Sequence, residues 1–184
     1  MLSKELGKRT IYNILSKPVA RWQFLIGKYL GLLATLSVML GLLAAALLVM
    51  LWLLEGHVDV QVVAVIGAMM LELSILLAAA LFFSSIVVTP SLAGFFTVAT
   101  FIAGRSAGML SYFNTPEQPP LVRQAMSALY VILPHLDRLY VADRVVSGLA
   151  VPATFYMQAT LYTAAYAGVL LLCSLAIFRR REFY

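Results

Sequence analysis

Charge is what this sequence has least of. Only 11% of its residues are Asp, Glu, Lys or Arg, against about 25% in an ordinary soluble domain. Hydrophobic residues make up 62% and the mean hydropathy is +0.95. A soluble domain of 184 residues cannot hide that much apolar surface, so soluble enzymes and nucleic-acid-binding proteins are excluded. Cysteine is nearly absent as well. Cys173 alone, inside an apolar run, excludes an intramolecular disulfide and a cysteine-based metal site. No Walker A sequence, HExxH, GxSxG or paired acidic motif occurs, so no catalytic residue and no cofactor or metal are expected in this chain. The first 23 residues are polar and basic, and no signal peptide is expected there.

Long apolar runs are abundant. A spanning helix needs about 20 apolar residues, and four segments qualify: 24–54, 60–88, 91–113 and 154–178. The expected fold is all-α, a single polytopic transmembrane domain over 1–184. The first two segments exceed the bilayer core, which predicts tilt or protrusion.

The formal net charge of +5 is distributed by position. Nine of the thirteen basic residues lie in 1–28 and 179–181, which places both termini, and the tail 179–184, in the cytoplasm of a plasma membrane. The Glu55–Asp59 turn and the loop 114–153 are then extracytoplasmic. Within 1–23, Ile11, Ile14 and Leu15 share one helical face and Pro18 ends the helix. Periodicity alone fits a basic surface helix on anionic lipid as well as it fits a docking element. In the outer loop Pro119-Pro120 opens an amphipathic helix carrying Val122, Ala125, Met126, Leu129 and Leu133. Pro134 breaks it, and Leu136, Leu139 and Tyr140 begin a second short stretch that Gly148 can end. These short helices are expected to lie against the outer membrane face or dip into it.

Glu72 and Arg105 are the ionisable residues deep in the apolar segments. A charge there costs at least about 2.5 kcal/mol and marks a functional site by default. Counted from the outer ends of their spans, their depths differ by only about 6 Å, so a salt bridge is feasible. The pair reads either as a pin between adjacent helices or as a lining of a substrate path or proton relay. Gly27/Gly31 and Gly104/Gly108 have small-xxx-small spacing, which permits close helix contact. His57 with Asp59 offers too few ligands for a metal site.

One stretch is more specific. Arg9-Thr10-Ile11-Tyr12-Asn13-Ile14-Leu15-Ser16-Lys17-Pro18-Val19-Ala20-Arg21, followed by Gly27-Lys28-Tyr29-Leu30-Gly31, resembles the cytoplasmic loop of type-2 ABC exporter permeases. Glu5 stands at that loop's acidic position, and Ala20 replaces its usual serine. Looser matches are Phe83-Ser84-Ser85 leading to Pro90-Ser91-Leu92-Ala93, the outer loop from Leu133-Pro134 to Gly148, and the ending Ile177–Phe183. The resemblance implies that the helix before Pro18 is a coupling helix docking on an ATPase subunit, with Glu5, Arg9, Thr10, Ile11, Ile14, Leu15, Pro18 and Arg21 at the contact. ATP and Mg would then reside on that partner. Such permeases have an elbow helix and two spans before this loop, which are not in this sequence. The chain is then either a fragment or a split permease that needs a companion; the expected partners are a second permease copy or that companion and the lipid bilayer, with no nucleic acid.

The reading is the transmembrane permease subunit of an ATP-binding cassette exporter in the bacterial inner membrane. Its rivals are a proton-coupled secondary transporter using Glu72 and a non-transporting assembly or anchor protein. The charge distribution makes a topological prediction. Cysteines introduced at Lys8 and Gln118 should react with an impermeant reagent from opposite sides of the membrane, and labelling from one side would overturn the four-span arrangement.

Overall fold

The computed structural model describes residues 21–57, 60–112, 119–147 and 151–180. The described residues are helical and contain no strand. The helices are α1 (Arg21–Glu55), α2 (Val60–Ile86), α3 (Pro90–Arg105), α4 (Ala107–Tyr112), α5 (Pro120–Ile132), α6 (Leu136–Leu139), α7 (Ala142–Val146) and α8 (Ala153–Arg180). In hydrocarbon every backbone N–H and C=O must be satisfied within its own segment, and continuous helix is the local solution. Three helices are long and apolar enough to cross a membrane: Trp22–Glu55, Val60–Ile86 and Thr154–Ile177. Their outward faces expose Leu42, Leu43, Leu53, Leu54, Met157, Leu161 and Leu172, as helices solvated by lipid do.

The expected third span, 91–113, is not one continuous helix. α3 starts at Pro90, whose missing N–H is harmless in the first turn, and stops at Arg105. Ser106, at φ −91° and ψ 2°, interrupts the ladder before α4 begins. Gly104, Ser106 and Gly108 surround the break, and Gly/Ser pairs are a usual cause of sharp kinks. Phe113 lies outside the described residues. The α1–α2 turn is closed by Gly56, whose N–H donates to the Trp52 carbonyl at 3.0 Å. Its φ of +70° is the left-handed helix cap that glycine adopts without a Cβ penalty.

α2 is the central helix. It packs on α8, α3, α1, α6 and α7. The contacts set the directions. Ile75 meets Ala159, Ala78 meets Ala167 and Ser85 bonds Ser174, so α8 runs parallel to α2. Tyr29 bonds Ser74 while Ser37 reaches Met70 at 3.7 Å, so α1 runs antiparallel. Phe96 stacks on Phe83 at 5.6 Å and Arg105 meets Glu72, so α3 is antiparallel too. Ala78, Ala79, Ala159 and Ala167 are all buried; small side chains let the α2 and α8 backbones approach closely.

The loop between α4 and α8 does more than lie on a surface. Leu136 and Leu139 pack against Ile75 of α2 and Ala159 of α8. Ile75 is fifteen residues from the Val60 end of α2, or about 22 Å along the axis. Residues 134–141 therefore re-enter the bundle to about its middle, and Pro134, Leu136, Leu139 and Val141 are buried. Tyrosine hydroxyls of α8 pair two of the backbone groups at the start of this segment. The His135 N–H donates to the Tyr162 hydroxyl oxygen at 2.9 Å, and the Tyr166 hydroxyl donates to the Ile132 carbonyl at 2.8 Å. α5 itself stays outside this packing, with Leu121, Val131 and Ile132 exposed.

Two glycines make the re-entry possible. A Cβ on Gly104 would stand 2.6 Å from the Pro134 carbonyl oxygen and 3.1 Å from Leu136, and one on Gly108 would stand 2.9 Å from Asp137 Oδ2. Their four-residue spacing serves the re-entrant segment, not a neighbouring spanning helix. Gly27 and Gly31 differ again: a Cβ on either meets nothing within 4 Å, so within the described chain they make no close helix contact. Gly104→Ala should therefore lower stability by about 1–3 kcal/mol through overpacking against backbone. Gly31→Ala should be neutral or gain up to about 1 kcal/mol of helix propensity. Thermal unfolding of the detergent-purified variants separates the two, and an unperturbed Gly104→Ala would refute the close approach.

Candidate functional site

Two helices bring the intramembrane charges together. α2 carries Glu72 on the face that also bears Ala68, Ile75 and Ala79, and its side chain is 10% exposed. α3 ends on Arg105, whose side chain is 34% exposed. The Arg105 guanidinium donates to Glu72 Oε1 at 2.5 Å, a charge-assisted bond of the strong kind. Position adds to the pairing. Arg105 occupies the last turn of α3, where the free carbonyls of a helix end favour a cation.

The guanidinium is also enclosed by rings. Its central carbon lies 3.9 Å from the Tyr140 ring centroid and 5.7 Å from that of Phe101. A cation over an aromatic face is stabilised by about 0.5–2 kcal/mol, more when desolvated. Phe101 belongs to α3, but Tyr140 comes from the re-entrant segment. The site therefore joins α2, α3 and the loop between α4 and α8 through one side chain.

Around Pro134 the segment carries a second polar group. His135 sits 4.3 Å from the Tyr130 ring and 6.4 Å from the Tyr162 ring, edge-on to both. The His135 Nε2 and Asp137 Oδ1 atoms are buried without a hydrogen-bond partner among the described residues.

The remaining polar links hold the bundle. The Tyr29 hydroxyl shares a 2.6 Å hydrogen bond with Ser74 Oγ, tying α1 to α2. Ser85 and Ser174 share another between α2 and α8. Of the residues expected at the ATPase contact, Glu5, Arg9, Thr10, Ile11, Ile14, Leu15 and Pro18 lie outside the described residues, and Arg21 begins α1. His57 turns back to its own loop, with Nδ1 3.0 Å from the Glu55 carbonyl oxygen, while Asp59 is outside the described residues. Among the described residues no cluster of three metal-ligating side chains occurs.

A central helix packed on all its neighbours, apolar outer faces and a charge pair at mid-bundle describe a polytopic membrane protein. A family model described as ABC-2 family transporter protein matches residues 1–183. The chain belongs to that family. No curated protein and no solved structure matches it. As an ABC-2 permease it is a transmembrane transport component, in which Glu72, Arg105 and Tyr140 bring α2, α3 and the re-entrant segment into contact.

Sequence reasoning places Glu72 and Arg105 at a common depth but does not reach Tyr140, Phe101 or the serine pair. The signal for Tyr140 is indirect: Leu136 and Leu139 are too apolar for a solvated loop, and Gly104 and Gly108 offer a flat face at the same level.

The pairing makes a quantitative prediction. Glu72→Gln alone should destabilise by about 3–5 kcal/mol, because it leaves a desolvated cation unpaired. Glu72→Gln with Arg105→Gln should cost less than the single change. Thermal unfolding of these two variants and of Arg105→Gln alone gives the coupling energy, and simple additivity would show that the two charges do not act as a pair.

Proposed function

We propose that this ABC-2 permease is the membrane subunit of an ATP-driven exporter, coupled through the segment 1–23 to a separate ATPase subunit. The family match over residues 1–183 carries the reading. The run from Arg9 to Arg21, with Pro18 stopping a basic amphipathic helix, supports the coupling role. In this reading α3 and α4 together form the fourth crossing, kinked at Ser106. Both termini face the cytoplasm of a bacterial inner membrane, and residues 114–153 belong to the opposite face.

The mechanism follows from what is rigid and what is joined. Nucleotide binding and hydrolysis in the ATPase move the coupling helix. Arg21 begins α1, so that motion enters the bundle along α1 and reaches α2 at the Tyr29–Ser74 bond. From α2 it passes to α3 and the re-entrant segment through Glu72, Arg105 and Tyr140. Translocation takes place between two permease copies or halves. A carboxylate engaged with a neighbouring arginine supports a mechanical role for Glu72 over a proton-carrying one.

A docking helix depends on a few anchoring side chains, whereas a lipid-binding helix depends on total charge and apolar area. Ile14→Ala with Leu15→Ala should abolish co-purification of the ATPase and uncouple hydrolysis from transport, while the chain stays inserted. Lys4→Gln with Lys8→Gln should weaken both less. If the lysine variant is the worse one, or no ATPase co-purifies with the unaltered protein, the coupling assignment fails.

A further inference from the structure

A cavity of about 240 Å³ lies between the re-entrant segment and the start of α8, lined by Arg138, Leu139, Phe155, Gln158, Ala159 and Tyr162. Its position is defined by α8. Residues 155–162 occupy the first turns of the span that begins at Thr154, within about 12 Å of its end. Met157 and Leu161 flank Gln158 on the helix and are exposed, so the mouth opens on the lipid-facing side.

The lining is divided by chemistry. Leu139, Phe155 and Ala159 form apolar walls. Arg138 brings a cation that has no carboxylate within salt-bridge distance among the described residues. One of its amino groups donates to the Tyr130 hydroxyl at 3.0 Å, which leaves further donors of the guanidinium fork free. Gln158 makes no hydrogen bond within the described chain and is exposed at the lip. Arg138 is itself exposed, so its unused donors can reach an anion at the mouth of the cavity.

We propose that this cavity binds the anionic headgroup of a membrane amphiphile, with a phosphate ester on Arg138 and Gln158 and the first carbons of the chains against Leu139 and Phe155. Arginine matches phosphate through two parallel donors. Basic pockets between transmembrane helices are a recurring way to hold acidic headgroups. The volume is below the range of drug-sized pockets, so it takes the head and leaves the tails in the bilayer. The apolar walls favour a lipid over a free phosphate, which would leave them facing water. The site lies apart from the Glu72–Arg105 pair and does not depend on the coupling assignment.

The test uses the detergent-purified full chain, with any companion that co-purifies, and native mass spectrometry to resolve bound lipid. Phosphatidylglycerol should occupy one site in preference to phosphatidylcholine. Arg138→Gln should weaken that site about tenfold, the size expected for losing a hydrogen-bonded charge. Arg144→Gln, which removes an equal charge from α7, should leave it unchanged. Tyr130→Phe keeps the cation and should retain the lipid, which separates lipid loss from loss of the Arg138–Tyr130 bond. Gln158→Leu, with Arg138 intact, should lower affinity several-fold and serves if Arg138→Gln does not fold. Equal retention by the wild type, Arg138→Gln and Gln158→Leu would overturn the proposal, as would equal binding of phosphatidylcholine. Displacement of the lipid by millimolar inorganic phosphate would show a site for free anions and overturn the lipid assignment.

Discussion

A charge left without a partner is among the most expensive things a membrane helix can carry, and this chain meets that cost by pairing two charges across adjacent helices. Their meeting sets the register of the bundle. Once Arg105 of α3 reaches Glu72 of α2, the sliding of α3 along α2 is fixed, and with it the height of the Ser106 break. Dispersion contacts among leucines and alanines tolerate many alignments; a charge-assisted bond at mid-bundle tolerates one. Tyr140 then closes the free face of the guanidinium. The loop after α5 is thereby recruited into the same constraint.

That recruitment explains why an extended connection can lie at mid-depth at all. Non-helical backbone is tolerated in a bilayer only where protein covers it. Here α2, α3 and α8 cover it, and tyrosine hydroxyls at 162 and 166 take up the backbone groups that short helices leave open. Gly104 removes the one side chain that would hold the Pro134 carbonyl away. The aromatic residues of α8 are thus part of the loop's support, not only of a membrane interface.

The class and the four apolar runs were legible in the sequence, because hydrocarbon imposes length and composition directly. The ends of α1, α2 and α8 fall within three residues of the runs that signal them. The common depth of Glu72 and Arg105 was legible too, since helical rise is constant. The break at Ser106 was not: the apolar run 91–113 continues across it, and hydropathy is blind to a local change in ψ. The partner of Gly104 and Gly108 was equally hidden. Four-residue spacing shows that a face is flat, and only the tertiary fold decides that a loop, not a helix, lies on it. The Ser85–Ser174 bond joins residues 89 apart, and nothing local marks either serine as its end.

α1 is gripped unevenly. Its buried residues, Leu25 and Tyr29, lie in its first third, and the leucines beyond Ser37 are largely bare. The helix is thus pinned near its start by the Tyr29–Ser74 bond and at its far end by the short Gly56 turn that leads into α2, with about 39 Å of helix between the two. Bare over most of that length, α1 is the helix of the bundle that can bow outward at the least cost in packing.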